Sequence, residues 1–499
     1  MSNTFNELQE IIKKLSYYRH VSEVMYWDMR TVMPQGGFDD RMNTLAFMET
    51  ESFKLGTSEE LKKILDTLLK EEEFRALSPN RQYIVKRMKR DLDENARIPV
   101  EFVGRFSEAS SKSERAWEEA KRANDFAIFA PHLEEMISLV KERAGYTHPG
   151  CEVLDVLLNE YEEGMTSDKI DPIFNELKER LIPLVRKIGE KETSRNSVVS
   201  GSFDIEAQKK VQDLLLEYIG FNSDKGCTGE TEHPFTLNIC DGDVRVSNHF
   251  HEDEPIGPMF SAIHEGGHAI FEQNVDHELN CTVGGSCSYY GIHESQSRFY
   301  ENILGRNINF WKPIYGKIQA LLPQFEKIPL SQFERIINRV TPSFIRTDAD
   351  EVTYCFHIIL RYEMEKAIFR DNVPVSELPL LWNKKMEEYL GITPRSDAEG
   401  ILQDMHWSDG SFGYFPSYLL GSIYDGMYLD AITEELGDVD KILSEGRIKE
   451  ITKWLNEKIH RFGSTRLPAD VIENVCGKPL SAEPLVRYFT EKYTRIYDL

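Results

Sequence analysis

The chain has 499 residues, 40% of them hydrophobic and 29% charged, the balance of a globular protein with ample core. Its formal net charge of −25 argues against nucleic acid and anionic membranes as partners, because both would repel it. No window reaches membrane-spanning length, and the opening MSNTFNELQEIIKKLSYYRH lacks the apolar run of a signal peptide, so a cytoplasmic protein is expected. The seven Cys form no CxxC pair. An odd count without a secretory signal predicts reduced thiols, with Cys281 and Cys287, nearest in sequence, unpaired.

Residues 1 to about 145 read as successive helices. Asn124, Asp125 and Pro131 give start signals, and Leu133, Met136, Ile137 and Val140 then repeat at helical spacing before Gly145. Trp27 reads as an aromatic core anchor. Val211, Leu214, Leu215 and Tyr218 make another helical stripe, closed by Gly220. Residues 189–204 and 221–234 are polar and rich in Gly and Ser, and are expected to be loops. Only 235–250 looks extended: Thr236 to Ile239 and Val244 to Ser247 alternate around Asp241-Gly242, a hairpin turn signal. Helices resume after residue 300, one of them carrying Ile448, Ile451, Leu455, Ile459 and Phe462 on a face. Length alone would allow about three domains, yet no Pro/Ser-rich linker or internal repeat divides the chain. The expectation is one mainly α domain over 1–499, with a small β-ribbon beside its cleft.

Just beyond that ribbon stands His264-Glu265-Gly266-Gly267-His268, an HExxH sequence flanked by Phe260, Ile263, Ile270 and Phe271. On a helix, His264 and His268 share a face and can direct two imidazoles at one metal. Glu265, a step around, stays free to hold and deprotonate a water. Two adjacent glycines weaken a helix by about 1 kcal/mol each, and such small residues would let another element or a substrate approach closely. Composition alone yields such a motif in roughly one chain in twenty, so a third ligand is needed. Glu294 lies 26 positions after His268, room for a loop and a return helix. Two His and one Glu with an open fourth position are the ligand set of a catalytic zinc site. Glu301 and His293 compete for the third place.

Two later segments also bear chemistry. Arg346, among Asp348, Asp350 and Glu351, could grip a carboxylate with its guanidinium fork; a salt-bridged structural Arg is the commoner case. His406 and the tyrosines Tyr414 and Tyr418 could donate to an oxyanion if a metal stood nearby, although aromatic-rich loops are often plain core.

Taken together, these segments resemble the carboxypeptidase Taq family of metallocarboxypeptidases along essentially the whole chain. The family's motifs occur in order: HPF at His233 to Phe235, DxRxT at Asp243 to Ser247, HEGGH, Glu294 within HESQS, IRxxAD from Ile345 to Asp350, and GILQDMHW at 400–407. Ser247 stands where the family usually has Thr. The resemblance implies a helical, saddle-like body with a deep groove, akin to neurolysin and angiotensin-converting enzyme. It implies broad-specificity removal of single residues from peptide C-termini, zinc or cobalt as cofactor, and a homodimer. By position, Arg346 would hold the substrate's terminal carboxylate, His406 with Tyr418 (or Tyr414 in its place) would stabilise the transition state, and Arg245 would help shape or contact the substrate end of the cleft. An oligopeptidase or dipeptidyl carboxypeptidase is the nearest alternative. A non-catalytic peptide binder is the other, and the presence of Glu265 argues against it.

Overall fold

The computed structural model describes residues 3–191, 199–285 and 289–499. Helices dominate, and those needed below are α1 (Asn3–Thr31), α2 (Ile205–Ile219), α3 (Ile256–Gln273), α4 (Tyr290–Arg298), α5 (Thr353–Phe369) and α6 (Phe415–Leu436). The expected helix around Leu133 spans Phe126–Thr147; its N-cap Asp125 accepts a bond from the Ala127 N–H, satisfying one of the free donors of the first turn. The spacing-derived stripe is buried, with Leu133, Met136 and Val140 fully covered. Gly220, at φ 108°, closes α2 in the left-handed region, where a side chain would be strained. One continuous cluster of buried apolar side chains runs from Phe5 to Tyr497. Among the described residues no helix is long and apolar enough to cross a membrane.

The loop expectations are met only in part. The helix from Ser167 continues to Lys191, Val199 to Asp204 have neither helix nor strand, and 192–198 lie outside the described residues, as does Cys287. The expected loop 221–234 contains a strand, β1 (Gly226–Glu230), so the region is a three-stranded sheet in the order β1-β3-β2 rather than a two-stranded ribbon. β1 pairs in parallel with β3 (Asp243–Asn248), while β2 (Thr236–Cys240) pairs antiparallel with β3 across the Asp241-Gly242 turn. Sequence reading overlooked β1 because Gly-Cys-Thr-Gly-Glu has no apolar alternation: main-chain pairing holds it, not a buried face.

The sheet is pressed against α3, where Val244 and Val246 close over Ala269. Trp27 is buried, as expected, with its ring edge-on to Phe235 at 5.7 Å. These contacts set β2 along one side of a cavity of about 530 Å³. α3 and α4 form its floor. Its opposite wall comes from residues 346–354 and the start of α6.

Candidate metal and peptide site

The flanking residues of the HExxH sequence do what their pattern predicts. Phe260, Ile263, Ile270 and Phe271 are buried and hold α3 in the core. The two glycines explain themselves by contact. A Cβ on Gly267 would lie 2.7 Å from the Gln296 carbonyl and 2.8 Å from Cα of Ser297, and one on Gly266 would lie 2.6 Å from Ile219 of α2. Thus α3 and α4 cross with their backbones in contact. The neighbour expected from the glycines is a helix on each side, not substrate.

That crossing brings ligand-type atoms of His264, His268 and Glu294 within 4.8 Å of one another, and His268 Nε2 lies 3.5 Å from Glu294 Oε2. His264 Nδ1 is bonded to Glu301 Oε2 at 2.8 Å, which leaves Nε2 for a metal. Glu301 therefore orients the His264 ring, the kind of partner common behind metal-binding histidines. His293 stacks on His268 at 4.2 Å between ring centroids and bonds Glu272 Oε1 at 3.0 Å through Nε2. Both rivals for the third place are engaged elsewhere, and two imidazoles with one carboxylate suit a divalent metal.

The charges follow from the packing. Burial would raise the Glu301 carboxyl, but the His264 bond and the cations Arg306 and Arg298 bring it down to about 2. Burial opposes charge on His264, yet Glu301 and Glu294 outweigh it and push the imidazole up to about 9. His268, buried and facing His293, is pushed down to about 3. Glu294 is held below the usual carboxylate range: its own burial is overcome by the two histidines and Arg298.

Glu265 lines the same cavity. Burial raises its carboxyl, opposed by His264 and by Thr236. The Thr236 hydroxyl lies 2.7 Å from Glu265 Oε2 and 2.9 Å from its carbonyl oxygen, fastening β2 to the motif. Sequence reading saw the extended segment but gave Thr236 no role.

Across the cavity stands Arg346, in a single 3-10 turn, Arg346–Asp348. Its Nε and Nη2 donate to Asp404 Oδ1 at 3.1 and 2.9 Å, and Nη1 donates to the Tyr354 hydroxyl at 3.2 Å. The guanidinium lies 5.3 Å over the Tyr418 ring. Tyr414 and Tyr418 both line the cavity, and burial raises both phenols well above their ordinary value, so they keep their protons. His406 is set back: it is not among the cavity-lining side chains and stacks on Tyr414 at 5.5 Å. Burial, with Arg346 near, pushes it down to about 4 against the pull of Asp404.

Arg245 is not brought to this group. It donates to both oxygens of Asp243, at 2.9 and 2.8 Å, and lies 5.6 Å over Trp27. Ser247 supplies the hydroxyl usual at its position: Oγ accepts the Phe235 N–H at 2.9 Å.

Residues 7–493 match the family model described as carboxypeptidase Taq (M32) metallopeptidase. The chain is 42% identical to carboxypeptidase 1 of Bacillus subtilis over 99% of this chain and 98% of that one. It is 32% identical to thermostable carboxypeptidase 1 of Thermus thermophilus, with 99% of each covered. The crystal structure of the M32 carboxypeptidase from Deinococcus radiodurans superposes with a TM-score of 0.96 at 31% identity, covering 100% of both chains. With a two-histidine, one-glutamate cluster in a deep helical groove, the chain belongs to the carboxypeptidase Taq (M32) metallopeptidase family and is a metal-dependent carboxypeptidase.

Proposed function

We propose that this enzyme removes single amino acids from peptide C-termini with broad specificity, as one catalytic domain over 1–499. The observation that carries the reading is Arg346 in the same cavity as His264, His268 and Glu294. A fixed cation opposite a hydrolytic centre measures where a chain must end. It reads a carboxylate that every linear peptide has, which supports tolerance of the side chain beside it.

His264, His268 and Glu294 would hold a divalent metal, which would supply Lewis acidity to the scissile carbonyl and the attacking water. Zinc suits the donor set and cobalt fits it too. Glu265, steadied by Thr236, takes the proton from the water as it attacks and returns it to the leaving amine. Tyr418, with Tyr414 beside it, donates a hydrogen bond to the oxygen that gains charge; losing one such donor typically costs about 2.7–4 kcal/mol of barrier. His406 backs the Tyr414 ring. Arg346 receives the terminal carboxylate, and Arg245, through its pairing with Asp243, shapes the sheet that borders the cleft.

The reading further includes a homodimer in the cytoplasm, acting on peptides and not on nucleic acid; the net charge of −25 supports the last point. The test is mass spectrometry of an N-blocked peptide incubated with metal-loaded enzyme, beside Glu265→Gln. Stepwise loss of single C-terminal residues, slowed by about 10²–10⁴-fold in the variant, is expected. Internal fragments or released dipeptides would replace it with the oligopeptidase reading.

A further inference from the structure

Arg346 does not stand alone in its wall. Its main-chain N–H donates to Gln403 Oε1 at 2.9 Å, and its side chain is held by the next residue, Asp404. The other oxygen of Asp404, Oδ2, accepts from Nε of Arg361 at 2.6 Å. Arg361 is fully buried on α5 and also donates to the His357 carbonyl at 2.7 Å. One carboxylate is thus pinned from the core by one arginine and grips a second at the cavity.

Two counts give this arrangement a purpose. A guanidinium has five N–H donors; Arg346 commits Nε–H, one on Nη2 and one on Nη1, leaving one on each terminal nitrogen. In charge, two guanidiniums and one carboxylate leave a surplus of one positive charge, enough for one incoming anion. A flexible arginine would lose more rotamer freedom on binding than one already fastened. We infer that Asp404 is a positioning residue: with Arg361 behind it, it fixes the Arg346 guanidinium so that the uncommitted donors meet the substrate's terminal carboxylate. The inference rests on the reading of Arg346 as the carboxylate's receptor.

The experiment compares metal-loaded wild type, Asp404→Asn, Arg346→Ala and the double variant on an N-blocked dipeptide with a free C-terminal carboxylate. Asp404→Asn should raise KM by about tenfold or more and change kcat by less than about threefold, as loss of ground-state binding does. The double variant should be no worse than Arg346→Ala alone, because residues that act through one another are not additive. An unchanged KM in Asp404→Asn, or penalties that multiply in the double variant, would overturn the inference and leave Asp404 as the counter-ion of Arg361 only. Should Asp404→Asn fail to fold, Asp404→Glu keeps Arg361 neutralised while displacing the carboxylate by one methylene, and the same KM comparison decides. If Arg346→Ala itself leaves KM unchanged, the receptor reading falls, and this inference with it.

Discussion

The two walls of the cleft are built on different principles. On the metal side, His264, Glu265, His268 and Glu294 sit on regular helices whose backbones touch at Gly267. On the carboxylate side, Arg346 sits in a single turn and Asp404 in a loop, and side-chain bonds to Gln403, Tyr354 and Arg361 hold them. The first wall is set by main-chain contact. The second is set by matched charges and side-chain hydrogen bonds. Damage to the first should therefore show in chemistry and metal content, and damage to the second in recognition.

The tyrosines put that division to its hardest test, since they stand on the recognition wall but are assigned to chemistry. Tyr418→Phe should lower kcat by about 10²–10³-fold with KM little changed, and Tyr414→Phe should lower it less. Steady-state kinetics at full metal loading reads both, and a Tyr418→Phe effect confined to KM would return that tyrosine to recognition. Smaller is the expected effect of Glu301→Gln, which leaves His264 without its charged partner. Metal affinity should drop by about 10–100-fold, measured by competition with a chelator, while KM of the fully loaded enzyme stays put. A raised KM with unaltered affinity would mean that the walls are not independent.

The smallest effect concerns the support behind the second wall. Glu365 is buried, with the Trp407 indole N–H and the Gly413 N–H as its hydrogen-bond donors among the described residues, and burial pushes its carboxyl up to about 8. The folded state therefore holds a proton that the unfolded chain gives up above the ordinary value of 4.5. Stability from this group falls as pH rises from there to about 8, and levels off above. Thermal melts across that window should slope downward for the wild type and less so for Glu365→Gln. Equal slopes would show that Glu365 does not set the trend.

The metal wall was the legible one. His264 and His268 are four residues apart, and helical geometry converts that spacing directly into a shared face. Glu294 needed only a return helix. Glu301 competes for the third place in the sequence because spacing cannot tell a carboxylate that joins a histidine cluster from one that bonds the far nitrogen of an imidazole in it, as Glu301 does with His264. On the other wall, Arg346 and Asp404 are 58 positions apart, and nothing local to either predicts their pairing. Arg245 shows the reverse case: its partner Asp243 is two residues away on the same strand, so a motif position that reads as substrate-facing is met locally by a bidentate pair. β1 was missed because its five residues carry no apolar rhythm.

Gly267 has a consequence for the frame of the site. Because the Gln296 carbonyl and Ser297 Cα occupy the space where a side chain would be, α3 and α4 meet main chain to main chain, and any larger residue there would force them apart. The start of α6 is tied to the same pair, because a Cβ on Gly421 would lie 3.0 Å from the Ser295 nitrogen and 3.2 Å from the Gly291 carbonyl oxygen, so the helix under Arg346 shares one close-packed frame with the helices of the histidine cluster.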